Sequence, residues 1–128
     1  MSSLRILLID DHPAMGAAVA AHLNKYCTVV AREEHGDRVM SATAELRPDV
    51  VILDISLPGR NGLELLLELR PLYPSLGIVM LTNTDNDSLR EEAARRGADG
   101  YVLKSRVTKE LWQAIQNAVS ARRAPTPR

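Results

Sequence analysis

Five short apolar runs alternate with five helical patterns along this chain, and that alternation leaves few folds open to it. The runs cover residues 4–9, 28–31, 50–53, 77–81 and 100–103. Helical patterns follow at 13–25, 36–46, 62–72, 87–96 and 108–122. The middle runs are nearly continuous β-branched and aliphatic residues, as expected of strands covered by helices on both faces. Strands and helices in strict alternation build a parallel sheet with right-handed crossovers. The expectation is one α/β, doubly wound (βα)5 domain.

Punctuation agrees with this plan. Pro13 suits the first turn of a helix, where its missing N–H costs nothing. Asn61 followed by Glu64 resembles a capping box. Glu91–Arg95 and Glu92–Arg96 are spaced as i,i+4 pairs, and Gly97 suits a helix stop. Thr108 is a candidate cap for the last helix, whose stripe is Leu111, Ile115 and Val119.

The strand ends are unusual. The first run stops at Asp10-Asp11 and the third at Asp54. Burying charge costs several kcal/mol (roughly) unless something compensates it, so carboxylates do not close apolar strands for stability. A helix cap would explain one such acid but not three. In an open α/β sheet, ligands bind at the carboxyl ends of the strands, where strand order reverses. The fourth run ends at Thr82 and the fifth at Lys104. With strand order 2-1-3-4-5, all five residues line one crevice. The second run ends in Arg32-Glu33-Glu34, which fits an edge strand away from that crevice. Three carboxylates at one sheet edge need a cation, and an all-oxygen set suits Mg²⁺.

Length and composition narrow the rest. With 128 residues, 45% of them hydrophobic, the chain suits one domain with a real core. There is no Phe, so that core is aliphatic. Sixteen basic and sixteen acidic residues cancel, and nothing in that balance predicts direct nucleic-acid binding. The single cysteine, Cys27, excludes an internal disulfide and reads as a small buried hydrophobe. No apolar run is long enough to span a membrane, and the N-terminus is not patterned as a signal peptide, so a cytoplasmic location is expected.

The motifs taken together resemble the receiver domain of two-component response regulators. They are Asp-Asp-His-Pro at 10–13, Leu-Asp-Ile-Ser-Leu-Pro-Gly at 53–59 with Gly62, Leu-Thr at 81–82 and Gly-Ala-Asp-Gly-Tyr-Val-Leu-Lys at 97–104. Each alone is weak; all of them in order, at the right strand ends, are specific. The resemblance implies a CheY-like, flavodoxin-like fold. Residues 1–120 would form the receiver domain, and 121–128, with Pro125 and Pro127, a flexible tail or linker. It also implies roles. Asp54 would accept a phosphoryl group from a sensor histidine kinase or a histidine phosphotransfer protein. Asp10, Asp11, Asp54 and the backbone carbonyl of Ser56 would hold Mg²⁺, Asp10 mainly through a bound water. Lys104 would pair with Asp54 and later with the phosphoryl oxygens. Thr82 and Tyr101 would form the switch, changing a surface offered to a downstream protein or a second copy. Such a module catalyses only its own phosphorylation and dephosphorylation. Kinase preference would lie on Ala14, Met15, Ala18 and residues 105–107.

Other functions fit less well. A haloacid-dehalogenase-type phosphatase wants a second Asp two residues after its nucleophile, and Ser56 stands there. A flavodoxin needs a phosphate loop after its first strand, where Asp-Asp-His-Pro would repel phosphate. The stronger rival is a receiver-shaped interaction module that works without phosphorylation. Asn83, where the family usually has a small residue, favours it by narrowing the mouth of the site. Ser105 after Lys104, where many receivers carry proline, and the Asp-Asp-His-Pro start both resemble the NarL-type group. That leaves a stand-alone receiver or the receiver part of a DNA-binding regulator. His12, His22 and His35 show no ligand spacing and read as surface or partly buried residues. Trp112 reads equally as a cover for the core edge or as part of a partner surface.

Overall fold

A computed structural model describes residues 3–123. Its strands are β1 (Arg5–Ile9), β2 (Thr28–Glu33), β3 (Val50–Asp54), β4 (Gly77–Thr82) and β5 (Gly100–Leu103). Its helices are α1 (Pro13–Leu23), α2 (Val39–Leu46), α3 (Gly62–Leu72), α4 (Asp87–Arg95) and α5 (Trp112–Arg123). The sheet is wholly parallel, in the order β2-β1-β3-β4-β5. This is the doubly wound, flavodoxin-like architecture expected.

Burial follows the strand period of two. Leu7, Ile9, Val51, Leu53, Ile78 and Met80 face one core, with Val39 of α2, Leu65 and Leu69 of α3, and Ala93 of α4. Ile6, Leu8, Val50, Ile52, Val79 and Leu81 face the other, with Val19 and Leu23 of α1 and Ile115 and Ala118 of α5. Each large aliphatic chain removed from water contributes about 1.5–3 kcal/mol. The three central strands therefore anchor the molecule, and the edge strands β2 and β5 are only partly buried.

Most punctuation holds. Pro13 opens α1. Asn61 caps α3, accepting from the Glu64 amide at 2.9 Å while its own Nδ2 donates to the Glu64 carboxylate at 2.9 Å. Gly97, at φ +106°, ends α4 in a left-handed turn. There the Ala98 amide reaches Ala93 O at 2.9 Å and the Gly97 amide reaches Ala94 O at 3.1 Å.

Four expectations change. The second helix begins with a 3-10 turn, Gly36–Arg38, because Gly36 lies against the loop before α3. A Cβ there would meet Arg60 O at 2.0 Å. In α4, Arg95 and Arg96 both pair with Glu92, at 2.6 and 2.8 Å, rather than Arg95 with Glu91. Arg96 also donates to Leu63 O at 2.9 Å, drawing this cluster towards α3. Thr108 caps nothing: β5 is followed by a 3-10 turn (Lys104–Arg106) and a π-helical turn (Val107–Leu111) before α5. That wider path keeps Lys104, Val107 and Leu111 all buried. Finally, α5 runs through Arg123, into the segment expected as tail. Arg122 explains this, since its Nε donates to Asp99 Oδ1 at 2.8 Å. The rest of that segment, with Pro125 and Pro127, lies outside the described residues. Trp112 stacks on Tyr26, ring centroids 5.0 Å apart, so it covers the junction of α1 and α5. No helix among the described residues is long and apolar enough to cross a membrane.

Candidate functional site

Strand order brings the chemistry together. β1 and β3 are neighbours, with Ile9 opposite Leu53, so Asp10 and Asp54 emerge side by side. β4 and then β5 continue the sheet beyond β3, and Lys104 follows the last residue of β5. Lys104 Nζ donates to Asp54 Oδ2 at 2.7 Å and lies 3.2 Å from Asp10 Oδ2. Asp10, Asp54 and Lys104 are 4%, 2% and 7% exposed. The Ser56 amide donates to Asp54 Oδ1 at 3.0 Å.

This cluster is electrostatically unfinished. Burial pushes the Asp54 carboxyl up, and the Asp10 charge adds to that; the Lys104 ammonium and the Ser56 amide only partly oppose it. Burial would lower Lys104, but its two carboxylate neighbours outweigh burial and hold it above its ordinary value. One ammonium therefore serves two carboxylates. Two buried carboxylate oxygens are short of donors: Asp10 Oδ2 is met only by the shared Lys104 Nζ at 3.2 Å, and Asp11 Oδ1 only by His12 Nδ1 at 3.0 Å. Side-chain donor atoms of Asp10, Asp11, His12 and Asp54 all lie within 4.8 Å of one another. Carboxylate oxygens short of donors around one point fit a hard divalent cation, which would satisfy them.

Thr82 is buried at the end of β4, and its hydroxyl accepts from the Thr84 amide at 3.1 Å. Tyr101 is half-buried on β5 and donates its hydroxyl to the Thr84 carbonyl at 2.7 Å. Arg90 of α4 lies over the Tyr101 ring, 4.5 Å from its centroid. Thr84 is thus bonded to both residues of the expected switch. The Ser56 side chain is exposed, so its contact with the cluster runs through its backbone.

Asn83 is exposed and lines an apolar hollow of about 480 Å³ with Ala14, Met15 and Ala18 of α1, next to His12 and Lys104. It stands at the rim and not between the carboxylates. His12 is exposed, as expected, but its imidazole faces the acidic pair. Its Nδ1 is 3.0 Å from Asp11 Oδ1 and 3.4 Å from Asp10 Oδ1.

Comparison with known proteins agrees with this geometry. A family model described as the response regulator receiver domain matches residues 6–116. The chain is 36% identical over 117 residues to the Escherichia coli K12 nitrate/nitrite response regulator protein NarL, covering 90% of this chain and 54% of that protein. It spans about half the length of the curated relatives it matches. The crystal structure of a LuxR-family two-component response regulator from Aurantimonas sp. SI85-9A1 matches with TM-score 0.88 and 32% identity, covering 98% of this chain and 91% of that one. A CheY-like receiver domain protein from Methanospirillum hungatei JF-1 matches with TM-score 0.85 over 94% of this chain and 97% of that one; at 23% identity it speaks for the fold.

Proposed function

Because the chain belongs to the response regulator receiver domain family of two-component systems, we propose that it is switched by phosphorylation of Asp54. The observation that carries this is the Asp54 carboxylate, held 2.7 Å from Lys104 beside two buried carboxylate oxygens short of donors. The site has a nucleophile, a fixed cation and room in its charge balance for a second one.

In the proposed step an Asp54 carboxylate oxygen attacks the phosphorus of a phosphohistidine. The P–N bond breaks, the imidazole leaves with the electron pair and takes up a proton, and an aspartyl phosphate forms. The bond from the Ser56 amide orients the carboxylate for this attack. Lys104 gives up its pairing with Asp54 for the phosphoryl oxygens, which keeps a full positive charge beside them. Asp10, Asp11, Asp54 and the Ser56 carbonyl would hold Mg²⁺, with Asp10 acting mainly through a bound water. When bound, Mg²⁺ would neutralise charge on the carboxylates and on the transferring phosphoryl group. Hydrolysis of the acyl phosphate by the same site would reset the chain, so it is not an enzyme acting on an external substrate.

The readout runs through Thr82 and Tyr101. The Thr82 hydroxyl turns to the phosphoryl oxygens and leaves the Thr84 amide. Tyr101 then follows into the space, changing the face formed by α4, β5 and α5. The phosphoryl donor, a sensor histidine kinase or a phosphotransfer protein, would dock over the hollow lined by Ala14, Met15 and Ala18. The downstream partner is a target protein, a second copy of the chain or an output domain. The relatives' greater length favours a second reading of the whole protein: a receiver joined to a DNA-binding output domain.

Intact mass after incubation with acetyl phosphate tests the first reading. A one-phosphoryl gain is expected with Mg²⁺, and none without Mg²⁺ or in Asp54→Asn. No gain, together with no binding of beryllofluoride, would leave the phosphorylation-independent module standing.

A further inference from the structure

We infer that His12 is a nitrogen ligand for the divalent cation held by Asp10, Asp11 and Asp54, so that this centre favours imidazole-binding ions such as Co²⁺ over Mg²⁺ more than carboxylates alone would. This rests on the cation site proposed above and adds a residue and a selectivity to it.

The His12–Asp11 pair has the spacing of adjacent ligands in one coordination sphere. Ligands about 2.1 Å from an octahedral ion and at right angles to each other lie about 3.0 Å apart. His12 Nδ1 and Asp11 Oδ1 are 3.0 Å apart, and the Asp10 Oδ1 distance is 3.4 Å. The four side chains' donor atoms share one small space. Asp10, with its side chain 1% exposed, has one oxygen met only by Lys104 Nζ at 3.2 Å, and that ammonium is shared with Asp54; with Asp11 beside them, one cation faces three carboxylates, so the centre calls for another independently of His12. Lys104 Nζ, which can only donate, faces the same His12 nitrogen at 3.4 Å. That suits a lone pair on Nδ1, whereas Asp11 alone would suit an N–H; a cation at the centre suits both.

The backbone also holds the ring in place. Pro13 fixes the first turn of α1, which makes His12 the N-cap residue. The His12 amide donates to Asp10 Oδ1 at 2.8 Å, and its carbonyl accepts from the Gly16 amide at 2.9 Å. Its side chain caps no helix amide, so the imidazole is free for another partner. The side chain is 62% exposed, which leaves the ion a route from solvent. Imidazole discriminates among divalent ions because Mg²⁺ prefers oxygen and the later transition ions accept nitrogen readily.

The test is calorimetric titration of the untagged chain with MgCl₂ and with CoCl₂, repeated for His12→Ala and Asp11→Asn. Proton NMR of the Co²⁺ form follows paramagnetically shifted imidazole resonances. His12→Ala is expected to lose about tenfold or more in Co²⁺ affinity, to change by less than about threefold for Mg²⁺, and to lose one shifted imidazole set. His12→Gln should behave as His12→Ala does, which separates ligation from loss of side-chain volume. An unchanged ratio of Co²⁺ to Mg²⁺ affinity in His12→Ala, with Mg²⁺ binding still dependent on Asp11, would overturn the role of His12 and leave the carboxylate site standing. Mg²⁺ binding unaffected by Asp11→Asn would overturn both.

Discussion

At Asp54, burial and pairing pull in opposite directions, and burial wins. Its carboxyl stands above the ordinary value even though Lys104 and the Ser56 amide both favour the ionised form. A group raised on folding stabilises the fold below its unfolded pKa and loses that contribution as pH rises through its folded pKa. In metal-free solution Asp54→Asn is therefore expected to match the parent in acid. Above the ordinary carboxylate range it should become more stable than the parent, by on the order of 1 kcal/mol, a few degrees in Tm. Saturating Mg²⁺ should shrink the difference by stabilising the parent. Thermal melts from about pH 3.5 to 7.5, with and without Mg²⁺, check this. An Asn variant that melts below the parent at neutral pH without metal would show that the Lys104 pair dominates. At this scale Asp10, Asp11, Asp54, Thr82 and Lys104 were legible, because polar residues closing apolar strands have no structural excuse. The approach of the His12 ring to the acidic pair was not, because it depends on where an N-cap residue turns its side chain, which spacing does not encode.

Elements are joined here by a few buried polar contacts as well as by apolar faces. Asp99, in the turn before β5, is the clearest case. It accepts from Arg70 Nη2 of α3 at 3.0 Å, from Arg122 Nε of α5 at 2.8 Å and from the Ile78 amide of β4 at 3.0 Å. Burial pulls Arg70 down, and Asp99 opposes that. Removing this carboxylate strands two partly buried guanidinium groups, so Asp99→Ala is expected to cost about 3 kcal/mol in urea unfolding. Loss of less than about 1 kcal/mol would mean the backbone carbonyls around Arg70 suffice. The same contact holds the last turn of α5, which reaches Arg123, one residue past the helical pattern at 108–122. The π-helical turn at Val107–Leu111 was not legible in the sequence. Its apolar residues keep helical spacing, and the turn leaves Lys104, Val107 and Leu111 buried. The strands and their order, in contrast, followed from burial on both faces and from the single crevice that makes sense of their ends.

Across the whole molecule, order is unevenly anchored. β1, β3 and β4 are buried nearly throughout, whereas α4 has Ala93 as its one fully buried residue. Local opening should therefore be easiest at α4 and hardest in the central strands. Thr82 and Tyr101, the proposed switch, sit on that boundary, because Thr84 binds Thr82 through its amide and Tyr101 through its carbonyl. Drawing the Thr82 hydroxyl towards a phosphoryl group removes the first of those bonds and frees the loop leading into α4 from β4; inward movement of Tyr101 would release it from β5 as well. Hydrogen exchange is thus expected to be fastest in α4 among the helices and slowest in β1, β3 and β4. Beryllofluoride with Mg²⁺ should change exchange chiefly in residues 82–101. Thr82→Val should still bind beryllofluoride but lose most of that change, since it keeps the side-chain shape and removes the hydroxyl. Asp54→Asn should show no response. If Thr82→Val retains the parent's response, the signal leaves the site by another route. The Lys104 side chain and the π-helical turn that follows it would then be the elements to alter next.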